Sequence, residues 1–190
     1  MRIVKKLILI FLIFQSCTAI KELVTFSRCQ FRLKNVQNIN LGGINLNSKY
    51  KFDDFSTTEI TQLSKNLLSK QLPMKFDLML EVKNPNHSVA SMEKMEWIVF
   101  VDNNQITEGV LEKRVSVSPG GLEIVPLTFS IDLLKITNSS TINSLVNLAF
   151  ALANIGEANS RLTLKIKPTI KVMNFNLVYP DYITITKEFK

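Results

Sequence analysis

The reading turns on residues 74–86, MKFDLMLEVKNPN. Met74, Phe76, Leu78, Leu80 and Val82 alternate without a break against Lys75, Asp77, Met79, Glu81 and Lys83. A period of two is the signature of a strand with one buried face, because successive side chains leave a strand on opposite sides. The alternation stops at Asn84-Pro85-Asn86. Pro85 removes a ladder donor and holds Asn84 extended, and the asparagine side chains can bond nearby backbone groups. A turn is therefore predicted there.

The same period extends outward. Upstream, Phe31 and Leu33 alternate with Arg28, Gln30, Arg32 and Lys34, and Val36, Ile39, Leu41, Ile44 and Leu46 continue as short β pieces around Gly42-Gly43. Downstream, Met95, Trp97, Val99 and Val101 form a strand, Asn103-Asn104 reads as a two-residue turn, and Ile106 opens the return. Gly109 reads as a bulge or bend. Val115 and Val117 lead into the Pro119-Gly120-Gly121 turn. Val125, Leu127, Phe129, Ile131 and Leu133 alternate next, with Pro126 placing that strand at an edge or a bulge. Leu162, Leu164 and Ile166 alternate up to Pro168, read as a strand stop, and Ile170, Val172, Ile183 and Ile185 supply the last β pieces.

Two segments change period. Ile60, Leu63, Leu67 and Leu68 recur at helical spacing behind Ser56, with Glu59 at the capping-box position, so a helix is predicted between Ser56 and Gln71. Thr141 to Ala153 places Ile142, Leu145, Val146, Ala149 and Leu152 on one helical face, before Gly156. Many short strands with turns about every ten residues predict a mainly β, antiparallel sandwich decorated by two short α-helices.

Composition limits the chemistry. The chain has 190 residues, 46 % hydrophobic and 21 % charged, enough for one domain with a real core. Its net charge is +7, and without Arg2, Lys5 and Lys6 the balance is 20 − 16 = +4. No Arg-rich helix or aromatic-interleaved basic stripe accompanies it, so nucleic acid is not an expected partner. Histidine occurs once, at His87, and cysteine twice, at Cys17 and Cys29. No His/Cys metal site is expected, no cofactor and no catalytic residue; an enzyme reading is left with Cys29 and His87 alone.

The first sixteen residues have the layout of an export signal: three positive charges by Lys6, an apolar run Leu7–Phe14, then Gln15-Ser16 before Cys17. Eight apolar residues fall well short of the ~20 that span a bilayer as a helix. The segment resembles a bacterial lipoprotein signal, with Ser16 before the cleavage point and Cys17 as the acceptor of diacylglycerol and an N-acyl chain. Phe14 and Gln15 depart from the usual residues. The alternative is a soluble secreted protein with Cys17 merely near the cleavage point. The expected organisation is a signal peptide over 1–16, a lipid-anchored spacer over 17–27 and a single domain over 28–190. Lipidation of Cys17 would leave Cys29 a lone thiol, read as a small buried hydrophobe.

The stretch from Phe76 to Leu134 resembles the type 2 late embryogenesis abundant family, also called the water-stress and hypersensitive-response domain. The features that carry it are the alternating strand ending in Asn84-Pro85-Asn86, the strand around Trp97, the turn before Ile106 and Gly109, and Pro119-Gly120-Gly121 before another alternating strand. It covers about a third of the chain. The resemblance implies an immunoglobulin- or fibronectin-like sandwich, and the whole chain looks like the lipoproteins in which diderm bacteria carry one such domain. The insert at Ser56–Gln71 and the tail after Leu134 depart from the pattern. It brings no catalytic residues. Asn84, Pro85 and Asn86 are read as a structural strand-ending turn, with a recognition loop as the alternative, and His87 as solvent-facing. Trp97 and Phe100 are read as core.

The expectation is a non-enzymatic envelope lipoprotein whose sandwich is an interaction or accessory module. Its partners would be the membrane, through the anchor, and other envelope proteins. By analogy, Thr18-Ala19-Ile20 after Cys17, lacking an acidic retention signal, directs it to the outer membrane facing the periplasm. The alternatives are a carrier with a hydrophobic ligand beneath one of the helices and a desiccation or stress protectant.

Overall fold

The computed structural model describes residues 25–46, 54–136, 140–141, 143–145, 148, 159–172 and 175–189. The signal segment, Cys17 and the spacer to residue 24 lie outside them, as do Ile142, Val146, Ala149, Leu152 and Gly156 of the second predicted helix.

Eleven strands are described: β1 Gln30–Leu41, β2 Ile44–Asn45, β3 Pro73–Lys83, β4 Ala90–Met92, β5 Lys94–Val101, β6 Asn104–Leu111, β7 Val115–Val117, β8 Leu122–Asp132, β9 Ser160–Val172, β10 Phe175–Val178 and β11 Ile183–Phe189. All their pairings are antiparallel. One sheet runs β2-β1-β3-β8; the second runs β10-β9-β5-β6, with β11 also on β9; β4 and β7 form a short ribbon. The expected mainly β, antiparallel sandwich is what the strands build.

Alternation does the work. In β3 the buried residues are Met74, Phe76, Leu78, Leu80 and Val82, and in β8 they are Val125, Leu127, Phe129 and Ile131. Met95, Trp97, Val99 and Val101 of β5, with Leu162, Leu164 and Ile166 of β9, face them from the other sheet within one cluster. Large apolar side chains contribute about 1.5–3 kcal/mol each on full burial, so these faces dominate the favourable side of folding. The Trp97 and Phe129 rings meet edge to face at 4.5 Å between sheets, and Phe76 lies 5.1 Å from Phe129 within its own. At one side of the sandwich, Lys187 of β11 donates from Nζ to the Lys34 carbonyl of β1.

Helix α1, Thr57–Leu68, starts as the sequence predicts. Ser56 caps Glu59 N–H and the Glu59 carboxylate accepts from Ser56 N–H, a complete capping box. No α1 residue is fully buried. Asn66 Nδ2 donates to the Gly42 carbonyl at 2.7 Å, where Gly42 has φ +58°. A Cβ on Gly42 would sit 2.4 Å from that Nδ2, so the close approach requires glycine. The described residues 140, 141, 143–145 and 148 of the second helix are helical, with Leu145 and Leu148 in the core. A helical turn at 25–27 adds to the two helices expected.

Several expectations are corrected. Val36, Ile39 and Leu41 continue one long β1 through register shifts at Leu33/Val36 and Gln37/Asn40, while Ile44 forms the separate short β2 beyond the Gly42-Gly43 turn, as expected. The β5–β6 turn is Asp102-Asn103, one residue earlier than predicted, with φ of 48° and 69°. A two-residue turn of this hand needs positive φ at both positions, which Asp and Asn tolerate. Asn104 instead pairs with Val101 and binds Ser144 Oγ at 3.0 Å, tying the second helix to β6.

Gly109 is no bulge: it pairs directly with Trp97, and the register shift lies at Val99/Phe100. A Cβ there would stand 2.3 Å from Trp97 Cζ2. The glycine leaves room for the indole. Phe100 is half-buried on the outer face of β5, with Lys165 Nζ 5.0 Å from its ring centroid, rather than in the core.

Pro168 does not stop a strand. β9 runs through it because β11 pairing ends at Ile166 and β10 pairing begins at Thr169, so the missing N–H falls in the gap between two neighbours. Pro126, in contrast, sits on β8 at the edge of its sheet, as predicted. The packing also reaches back beyond the expected boundary at Arg28: Phe26 is fully buried.

Two carboxylates outside the core respond to pH. Glu81 accepts from Nε and Nη2 of Arg32, each at 3.0 Å, and that hydrogen bonding holds its pKa below the ordinary value. Asp132 is held low by the Leu72 N–H at 2.9 Å and then by the Leu134 N–H at 3.2 Å. The folded protein binds these protons less readily than the unfolded chain. Their stabilisation is therefore present above the unfolded values near 4 and is lost as pH falls through the lower folded values. The urea midpoint should drop as pH is taken from about 5 toward 3, and Asp132→Asn should flatten that slope. Gly109→Val should cost about 1–3 kcal/mol in urea unfolding through overpacking against Trp97.

Candidate functional site

The best-built polar cluster is the corner that follows β3. Asn84 is completely buried. Its Nδ2 donates to the carbonyls of Ser88 at 2.8 Å, Val117 at 2.9 Å and Ser118 at 3.2 Å. Its Oδ1 accepts from Asn86 N–H at 3.0 Å and Asn86 Nδ2 at 2.8 Å, and its own N–H donates to the Gly121 carbonyl at 2.9 Å. Asn86 Nδ2 also donates to the Thr25 carbonyl at 2.9 Å.

One buried amide therefore joins the end of β3, the loop to β4, the end of β7 and the turn before β8, while Asn86 holds the incoming chain. A buried amide without partners would cost roughly 1–3 kcal/mol, so the requirement for satisfaction fixes these segments together. Pro85, exposed, separates the two asparagines. Both side chains are engaged by backbone groups and by each other.

Cys29 lies just inside this corner and is 7 % exposed. Its Sγ contacts the Thr25 carbonyl at 3.7 Å, and burial pushes the thiol pKa up to about 11. At neutral pH it is protonated, the reverse of the lowered value that activates a nucleophile. His87 is exposed on the neighbouring loop. Among the described residues no group of three or more His, Cys, Asp or Glu side chains could hold a metal ion.

Surface depressions lie elsewhere. One of about 430 Å³ is lined by Asp102, Asn103, Ser160, Arg161 and Glu188, at the end opposite Asn84. There the Asp102 carboxylate accepts from Arg161 N–H at 2.7 Å and Arg161 Nη2 donates to Asn103 Oδ1 at 3.1 Å. Another of about 440 Å³ is floored by Lys75, Asp77 and Thr128 on the outer face of β3 and β8. There Asp77 accepts from Asn38 at 2.6 Å and Thr128 at 2.7 Å. Both are open to solvent; the first mixes polar and apolar surface, and the second is mainly apolar, with Pro73 and Phe76 in its lining. Sequence reasoning did not anticipate the first, because no local pattern brings residues 102 and 161 together.

Fold and site together define an antiparallel β-sandwich closed at one corner by a buried asparagine. No protein-family model matches the chain, and no curated protein matches it. It is similar in structure to AT1g01470 from Arabidopsis thaliana at 12 % identity and a TM-score of 0.44, over 84 % of this chain and 80 % of that one. A candidate late embryogenesis abundant (LEA) protein, At2g46140.1, is similar at 12 % identity and a TM-score of 0.40, over 97 % and 81 %. A protein from Archaeoglobus fulgidus is similar at 14 % identity and 0.36, over 62 % and 84 %. Scores this low leave the architecture to rest on the strand pairing of this chain itself.

Asn84→Ala should destabilise the fold by about 3 kcal/mol, since it strands buried carbonyls without a donor. Asn84→Asp should cost more, because a carboxylate would face three carbonyl oxygens; urea unfolding of both variants checks the order. Cys29 should resist a thiol-alkylating reagent at pH 7 in the folded protein and react promptly once unfolded.

Proposed function

We propose that this chain is a lipid-anchored protein of the bacterial cell envelope, held at the outer membrane through Cys17, whose sandwich acts as a non-enzymatic interaction module. The observation that carries the reading is the order of residues 1–17: basic start, short apolar run, small residue, cysteine. A buried, protonated Cys29 and asparagines committed to backbone groups support a module that works by its surface rather than by chemistry.

Several acyl chains on one cysteine would make the attachment permanent, since each buried CH₂ contributes about 0.8 kcal/mol. Phe26 and Thr25 are part of the packed body, so the spacer between anchor and domain is short. Among the described residues no helix is long and apolar enough to cross a membrane.

The resemblance of residues 76–134 favours a second reading, protection of the envelope during water stress; unchanged survival of a deletion strain after drying would remove it. For the leading reading, Cys17→Ala should move the protein from the membrane to the soluble fraction, and its persistence in membranes would overturn the anchor. Native mass spectrometry of the protein extracted from its own membranes should show diacylglycerol on the chain and a stoichiometric protein partner. A lone chain with non-covalent lipid would point to a carrier instead.

A further inference from the structure

The two ends of the sandwich differ in what they offer and in where the chain enters. One end holds the Asn84 corner, the 118–121 turn and β10; the other holds α1 and the Asp102-Asn103 turn. Asn86 pins Thr25 at the first end. From Cys17 to Thr25 the chain advances eight residues, at most roughly 29 Å when fully extended.

Four large apolar side chains stand half or more exposed at that same end: Val89 at 52 %, Leu122 at 51 %, Phe175 at 72 % and Val178 at 50 %. Val89 directly precedes β4 beside the corner. Leu122 opens β8 opposite Lys83, and β10 pairs with the last residues of β9, Thr169 to Val172, where β5 begins. Arg28, Lys83 and Lys171 are exposed there against the carboxylate of Glu123, while Lys113 and Glu112 offset each other. The opposite end exposes Leu67 and Leu68 on α1, but it stands a strand's length farther from the anchor, about 37 Å for the eleven residues of β3.

We propose that the Asn84 end is a membrane-docking surface, seating Val89, Leu122, Phe175 and Val178 in the interfacial layer of the bilayer that carries the anchor. The inference rests on the lipid-anchor reading and deepens it. Apolar groups at the headgroup boundary, backed by cations toward anionic lipid, are the chemistry of interfacial attachment. The short tether makes this contact intramolecular, at an effective concentration on the order of millimolar, so a contact too weak to bind membranes alone still holds the domain upright. The α1 end is then presented away from the membrane.

The test uses the full mature protein, extracted from its own membranes and reconstituted into phosphatidylethanolamine–phosphatidylglycerol vesicles. In a Cys29→Ala background, Val89→Cys and Phe175→Cys report the near end and Leu67→Cys and Leu134→Cys the far end, each bearing a fluorophore. A quencher attached to lipid near the headgroup should quench the near labels and leave the far ones bright. Equal brightness at both ends in a chain that carries diacylglycerol and stays on the vesicles overturns docking while keeping the anchor. Quenching confined to the far end also overturns it. A chain without diacylglycerol that washes off the vesicles overturns both readings. The double variant Leu122→Asp with Val178→Asp, folded by its thermal transition, should stay vesicle-bound and lose the near-end quenching; retained quenching counts against the proposal.

Discussion

The satisfaction of one buried amide organises this molecule. Asn84 has no access to water, so each of its polar atoms must find a partner inside the protein, and the partners available are backbone groups from segments distant in sequence. Its position at the end of β3 follows from the proline after it, which stops the ladder and holds the backbone extended. The same amide fixes the end of β7 and the start of β8. Through Asn86 it also fixes where the chain enters from its N-terminal side. The corner and the point of chain entry are both held by this one set of hydrogen bonds.

The core depends on a different constraint, the space taken by an indole. Trp97 lies against Phe129 of the opposite sheet and over Gly109 of the neighbouring strand, and the absence of a side chain at residue 109 makes room for it. Buried carbon contributes in proportion to the area removed from water, but it does so only where the facing surfaces interdigitate. A glycine inside a strand carries an entropic cost, and here it is offset by the packing of the largest side chain in the protein.

These two constraints bear on function through the surface they leave. The Asn84 and Asn86 side chains near the chain entry are taken up by the corner, and the thiol beside it is shielded and protonated. Outward at that end stand Val89, Leu122, Phe175 and Val178 with Arg28, Lys83 and Lys171, beside His87 and Glu123. The opposite end carries α1, held by its capping box and by Asn66 on Gly42, with its leucines exposed. The sandwich thus carries exposed apolar side chains at both ends, and only the Asn84 end is also where the chain enters.

The sequence by itself determined the strands with uninterrupted alternation and the capping box at Ser56 and Glu59, and it narrowed the strand at Pro126 to an edge or a bulge, of which the sheet order selects the edge. Each of these depends on interactions between near neighbours. It also contained the corner residues Asn84, Pro85 and Asn86, although not what they bind. Tertiary structure decided the rest. Pro168 looks like a strand stop until β10 and β11 are seen to share β9 on either side of it. Gly109 looks like a bend until Trp97 is placed across from it. Phe100 and Trp97 are equally core-like in a strand read alone, and only the second sheet distinguishes the inner face from the outer. Local patterns record which side chains share a face of a strand; which face meets another sheet, and what fills the space between, is set by partners dozens of residues away.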